Sequence, residues 1–570
     1  MGAIDFERRQ FRVLFEQFLF KVVDVELLSA QADPTKLLGQ IATVLLSFSF
    51  LVSIPVLFMG GGRLPLSGAR LMEHFFIATT MLVVGIFAVL SWDAVFPSLQ
   101  DVLVLGSLPI RARTMFAARM AAIGVGLGVA AGAVNGISGM LWPWMFAAPG
   151  SGAWGPVRSF AAFWVTLLAA GMFVFGAALT LQGMARMMPR RMHLRMSPVL
   201  QVVVFCALVS VYVLEPSLER DAALVANHRL LEWLPSYWFW GMYQQLNGTA
   251  SLRELHWPAV RSWSALGLAG AGGIATVLFS YARGMRRVVE EPEVVPGRAW
   301  VSWMRGGTVE RAVVLFALQT IFRSRQHRMM LSFYMGAGFG VTLILLRPAM
   351  GRHGVAAVAL MAASVLMLCT ATVAVRTVVS MPIAPGANWV FRVAEMRPAA
   401  EYVKAARKVF LVMAVMPVWS AFAVLLLWEL PWRAAAAHLA LLGLLGMMLT
   451  DAASGGFRKV PFTCSYQPGK TNLQFAVWGA LVLVPLTVIG AHYEWRLLAS
   501  ERGMIEAASM LVLPAGLMRW LADRRMEAVE ELQFEDAEEA PIVSLELTAE
   551  TQLLNGGERS AVVGRLAASE

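Results

Sequence analysis

Unbroken apolar blocks, each about the length that carries an α-helix across a hydrocarbon core of roughly 30 Å, recur along the whole sequence. They constrain the chain more than any other feature. In the first half they run from Ile41 to Met59, Phe75 to Trp92, Met120 to Met140, Phe160 to Leu181, Pro198 to Leu214 and Trp263 to Tyr281. In the second half they run from Met330 to Leu346, Val355 to Val375, Val409 to Leu427, Ala434 to Thr450, Phe475 to Ala491 and Ala507 to Leu521. A segment in lipid must satisfy its own backbone hydrogen bonds, so the blocks are read as helices. A β-barrel would need alternating strands, and continuous runs such as Val355 to Val375 do not alternate. The expectation is an all-α polytopic membrane protein with about twelve transmembrane helices. The last block is the shortest and contains Pro514.

Composition supports this and excludes other classes. Of the 570 residues, 58% are hydrophobic and 15% charged, a balance unsuited to a water-soluble globular chain. The net charge of +10 does not point to nucleic acid, because Arg and Lys sit in short loops between the blocks, where membrane orientation requires them. Arg186, Arg190, Arg191 and Arg195 form the clearest basic loop. The positive-inside rule then places both termini in the cytoplasm, in a multi-pass protein of the cell (inner) membrane. The loop from Glu215 to Arg261 carries Trp233, Trp238, Trp240 and Trp257 and is expected to lie against the outer membrane surface. Cys206, Cys369 and Cys464 give neither a disulfide framework nor metal-ligand spacing. No cleavable signal peptide is read at the amino terminus.

The blocks divide into two sets. Residues 1–287 form the first six-span half and 310–526 the second; residues 288–309, which include VVEEPEVVPG, form a cytoplasmic linker. Residues 527–570 read as an acidic, disordered tail. Ahead of the first span, Phe11, Leu14, Phe15, Phe18, Val22 and Val25 recur at helical spacing opposite Arg8, Arg9, Arg12, Glu16 and Gln17. Such a helix lies in the membrane interface. The arrangement returns before span seven, where Val314, Leu315, Leu318, Ile321 and Phe322 precede Arg323, Arg325 and Arg328. After spans two and eight, Leu108, Pro109 and Ile110 answer Met381, Pro382 and Ile383, and Arg111 and Arg113 follow the first set. Six spans return the chain to the same face, so the halves are expected to be parallel repeats.

With its interfacial helices and the segment LGSLPIRARTMFAARM, Leu105 to Met120, the chain resembles the permeases of ATP-binding cassette (ABC) transporters, type-2 exporter class. The second-half counterpart lacks basic residues directly after Ile383. The resemblance implies elbow helices, a translocation path formed by both halves, and a separate cytoplasmic ATPase, in two copies, that binds ATP and magnesium. It further implies that Leu108, Pro109, Ile110, Arg111 and Arg113, with Met381, Pro382 and Ile383, seat in grooves of that ATPase. Leu108 and Ile110 suit an apolar groove, Pro109 a turn or helix start, and the arginines acidic partners.

The chain itself is not read as an enzyme and has no cofactor of its own. CSYQPGKT, Cys464 to Thr471, lacks the first glycine of a phosphate loop and is interrupted by Pro468. Asp93 and Asp451 stand at span ends, Glu506 at the edge of the last span, and His438 inside span ten, where it reads as a helix-packing residue. Paired carboxylates, metal-ligand spacing and a Ser/His/Asp set placed together are not read from the sequence. An ion-coupled secondary transporter of twelve spans is the alternative, and a non-transporting membrane scaffold or enzyme a third reading.

Overall fold

The computed structural model describes residues 3–23, 34–58, 66–92, 95–96, 105, 108, 110–147, 151–214, 233–249, 256–290, 308–347, 355–381, 399–454, 462 and 473–527. Among these the secondary structure is helical throughout. In chain order the helices are α1 (Ala3–Val23), α2 (Pro34–Phe58), α3 (Leu66–Leu90), α4 (Ala112–Asn135), the short α5 (Ser138–Met145), α6 (Gly155–Met187), α7 (Arg190–Leu214), α8 (Pro235–Asn247) and α9 (His256–Glu290). There follow α10 (Thr308–Arg323), α11 (Arg325–Leu346), α12 (Val355–Ser380), α13 (Ala399–Phe410), α14 (Met416–Glu429), α15 (Trp432–Ser454), α16 (Leu473–Leu497) and α17 (Glu501–Glu527). Eight helices among the described residues are long and apolar enough to cross a membrane: α3, α4, α6, α9, α12, the continuous α13–α14, α15 and α17. Shorter apolar stretches lie in α2, α7 and α11. The predicted linker and tail fall largely outside the described residues, which leave off at Glu290, resume at Thr308 and end at Glu527.

The outward faces are those of a protein in lipid. Leu268, Ile274 and Phe279 of α9, Val482, Leu486 and Ile489 of α16, and Leu513 and Leu517 of α17 are all exposed. In water such a surface would drive aggregation. Inside, small residues let backbones approach. Gly176 of α6 leaves room for only 2.9 Å between an added Cβ and the Ala269 carbonyl oxygen of α9, and Gly272 of α9 lies against Thr180 of α6. The two halves meet where α7 packs on α11: Phe205 sits against Gly336, and Val209 against Gly340. Glycines four apart on one helix give that contact its depth.

Three sequence expectations change. The loop from Glu215 to Arg261 does not simply lie on a surface, because α8 within it is packed among α3, α6 and α9, with Phe239, Trp240, Met242 and Tyr243 buried. Its apolar and amphipathic residues fit a cleft between helices as well as a headgroup layer, and alone they do not choose. Second, Pro514 does not shorten the last block; α17 runs through it for 27 residues. Third, the ninth block contains a π turn, Leu411–Val415, immediately ahead of Pro417. Proline has no N–H to close the preceding α turn, and a wider turn absorbs that gap.

Candidate coupling surface and buried charged groups

α1 packs along α4. Leu14 and Phe18 are buried with Met115, Ala118 and Ala122, while Phe11 and Phe15 flank them, stacked at 6.2 Å. Arg8, Arg9 and Arg12 are exposed, and Arg12 bonds Glu16 at 3.2 Å along the outer face. The apolar side of the described amphipathic pattern therefore serves as a packing face against α4. The buried Arg119 guanidinium lies 4.3 Å from the Phe18 ring centroid, which ties the charge of α4 to the apolar side of α1.

The segment before α4 turns sharply. The Leu108 amide donates to the Leu105 carbonyl at 3.3 Å, the Ile110 amide to the Leu108 carbonyl at 2.7 Å, and the Thr114 amide to the Arg111 carbonyl at 2.9 Å. Leu108 is left 48% exposed and Arg111 and Arg113 are exposed, whereas Ile110 packs inward on the α1–α4 cluster. Pro109 lies outside the described residues. One apolar and two basic side chains thus face outward beside α1.

The second half differs. α10 packs along α13, with Lys408 bonded to Glu310 at 2.8 Å. Met381 is buried, so its side chain does not face outward as Leu108 does, and Pro382 and Ile383 lie outside the described residues. The Met381 backbone is held by His327, whose Nε2 lies 3.1 Å from the carbonyl oxygen; the Phe462 amide donates to the neighbouring Val379 carbonyl at 2.9 Å. At the end of α3, the Gln182 side-chain Nε2 donates to the Ala88 carbonyl at 3.4 Å and the Gln201 side-chain Nε2 to the Val89 carbonyl at 2.9 Å. Both α3 and α12 therefore have last-turn carbonyls satisfied by neighbouring elements, which the helix alone could not do.

Several charged groups were not anticipated. Glu73, placed by sequence before its span, is buried in the second turn of α3. Its Oε2 accepts from the Trp240 indole at 3.1 Å and from Gln244, and Gln244 in turn accepts from Thr249. These bonds fasten α8 to α3. Asp451 is also buried: Oδ1 receives Arg407 at 3.4 Å and Arg519 at 3.2 Å, while Asp523 receives the same Arg407 nitrogen at 2.9 Å. Alternating charges so close make a ring that joins α13, α15 and α17, and its members stabilise one another where any one alone would be costly. His438 does not stand alone among Ala and Leu; it bonds Ser364 and Glu494, so a Ser/His/Glu set does come together. Only a fold could bring these together, since they are 74 and 56 residues apart.

No family model, curated protein or solved structure matches the chain.

Proposed function

We propose that the chain is the membrane permease of an ATP-driven exporter, with two parallel six-span halves that couple to separate cytoplasmic ATPase subunits. The supporting observation is a repeated packing plan. α1 on α4 is answered by α10 on α13, α3 on α4, α6 and α7 by α12 on α14, α15 and α16, and α6 on α9 by α15 on α17. A local sequence match accompanies it: Ala117-Ala118-Arg119 and Ala405-Ala406-Arg407 occupy the same stretch of α4 and α13, with both arginines buried. The halves depart from each other at their first spans, since α2 packs on α4 and α5 while α11 packs on α12 and α7. α7 and α11 run parallel at the junction, Phe205 meeting Gly336 and Val209 meeting Gly340, as parallel halves require.

In this reading Leu108, Arg111 and Arg113 present the first coupling contact, an apolar knob with basic flanks for an acidic-rimmed groove. The second contact falls on the segment after Met381 rather than on Met381 itself. Leu108→Asp with Arg111→Glu alters exposed side chains without touching the Ile110 packing. The double variant is expected to stay monodisperse in detergent and to lose a co-purifying ATPase. Retention of that subunit at the wild-type level would remove the coupling assignment.

The part-buried His438–Glu494 contact favours a second reading, an ion-coupled transporter, because ionisable groups within helical bundles mark ion pathways in such proteins. Transport driven by an ion gradient in vesicles without nucleotide would select it.

A further inference from the structure

α12, α15 and α16 each contribute one polar side chain to a buried line of hydrogen bonds. Ser364 Oγ lies 2.8 Å from His438 Nε2, and His438 Nδ1 lies 2.7 Å from Glu494 Oε1. Ser364 and His438 are buried, while the Glu494 side chain is 18% exposed and forms the open end of the line. Ser364 has a second acceptor within reach, the Met361 carbonyl oxygen at 2.7 Å.

The two contacts of the imidazole each need one hydrogen, and two arrangements supply both. In one, Ser364 donates to Met361, Nε2–H donates to Ser364 Oγ, and a second proton lies between Nδ1 and Glu494. His438 and Glu494 then hold two protons and are neutral together. In the other, one proton has left, the Ser364 hydroxyl has rotated to donate to Nε2, and Nδ1–H donates to the Glu494 carboxylate. The pair then carries one negative charge. The heavy atoms are the same in both states, and the difference is one proton and one hydroxyl rotation.

We propose that Ser364, His438 and Glu494 form a proton-binding site that takes up and releases one proton through the Glu494 carboxylate. The site stands on its own geometry and does not depend on the exporter reading. Other ionisable groups at this end of the packed elements are Arg347 at the end of α11, Glu429 of α14, Arg433 of α15, His492, Tyr493 and Arg496 of α16, and Glu501, Arg502 and Glu506 of α17, all exposed. α12 contributes Cys369 further along the helix and Arg376 towards its other end. The carboxylate that meets the imidazole is Glu494.

The test uses the full chain in lipid nanodiscs with 15N-labelled histidine, and nuclear magnetic resonance across about pH 4 to 9, a range that spans ordinary carboxylate and histidine behaviour. Of the eight histidines, His438 is assigned by the signal lost in H438Q. Its ring-nitrogen signals are expected to change with pH in the wild type, and their pH response to differ in E494Q, which removes the carboxylate partner. If H438Q is not monodisperse, the signal that differs between E494Q and E494D makes the assignment. A His438 signal constant across the range, or one whose pH response is the same in E494Q, overturns the proposal.

Discussion

His327 shows how one side chain can set a local preference. It lies ahead of the apolar part of α11, wholly buried, with Nδ1 2.6 Å from Ser324 Oγ and its ring 5.1 Å from that of Phe462. A neutral ring satisfies both contacts: Ser324 donates to Nδ1, and Nε2–H donates to the Met381 carbonyl. Ser324 stands at the amino-terminal cap of α11 but spends its hydroxyl on the ring and makes no side-chain cap bond. Burial lowers the His327 pKa from its ordinary value, and the Met381 carbonyl only partly offsets this. The folded state thus disfavours the protonated ring. Stability from this group is present above the ordinary histidine value of about 6.5 and lost as pH falls below it. Thermal unfolding in detergent, followed from about pH 7 to about pH 5, should show a decline that H327Q reduces, since glutamine can still donate to Met381. An equal decline in H327Q would assign the effect to other groups.

Helix contacts in this chain are set by what is missing from side chains as much as by what is present. Gly336 meets the Phe205 ring so closely that any Cβ would displace it, and the contact joins the two halves. Gly336→Leu should cost about 1–3 kcal/mol or more through overpacking and lower the thermal midpoint of the purified chain. Gly124→Leu, where an added Cβ meets nothing within 4 Å, should leave that midpoint nearly unchanged. Comparable losses at both sites would argue against a tight α7–α11 junction. The helices were legible in the sequence because lipid imposes length and hydropathy on each block separately. Partner choice was not. MGAGFG reads as a flexible or small-residue run until Phe205 is seen against it, and Glu73 reads as a loop charge until α3 is seen to begin at Leu66. The outward Leu108, Arg111 and Arg113 were readable as a basic turn, whereas the burial of Met381 follows from His327 and Phe462, distant in sequence.

At the scale of the whole molecule, the two ends of the bundle differ in chemistry. Most of the strongly exposed tryptophans sit at one set of helix ends: Trp144 in α5 and Trp154 just ahead of α6, Trp233 ahead of α8 and Trp257 at the start of α9, and Trp428 and Trp432 at the end of α14 and the start of α15, whereas the half-exposed Trp520 of α17 adjoins Arg519 of the Asp451 ring. The opposite end carries Arg111, Arg113 and Arg186, the α1 arginines and the Asp451 ion-pair ring. Rings with one polar edge favour the headgroup layer, and cationic loops favour the cytoplasmic side. In a background without Cys206, Cys369 and Cys464, a cysteine at Trp154 should react with an impermeant thiol reagent added to intact cells, and a cysteine at Arg190 only after permeabilisation. The reverse pattern would invert the orientation. The sequence carried this asymmetry in its loop charges, but it placed Trp238 and Trp240 with the surface tryptophans, and the α3–α8 bond to Glu73 draws Trp240 inside.

The turn ahead of Pro417 makes the register of α14 insensitive to one kind of change. A π turn is an α-helix with one residue inserted, so deleting a single residue between Leu411 and Val415 returns the helix to ordinary pitch. Every side chain from Val418 to Leu426, buried or outward, then keeps its compass bearing. The same deletion elsewhere along the rod between Ala399 and Phe422 would swing all that follows by about 100° and turn Phe422 out of the core that holds it.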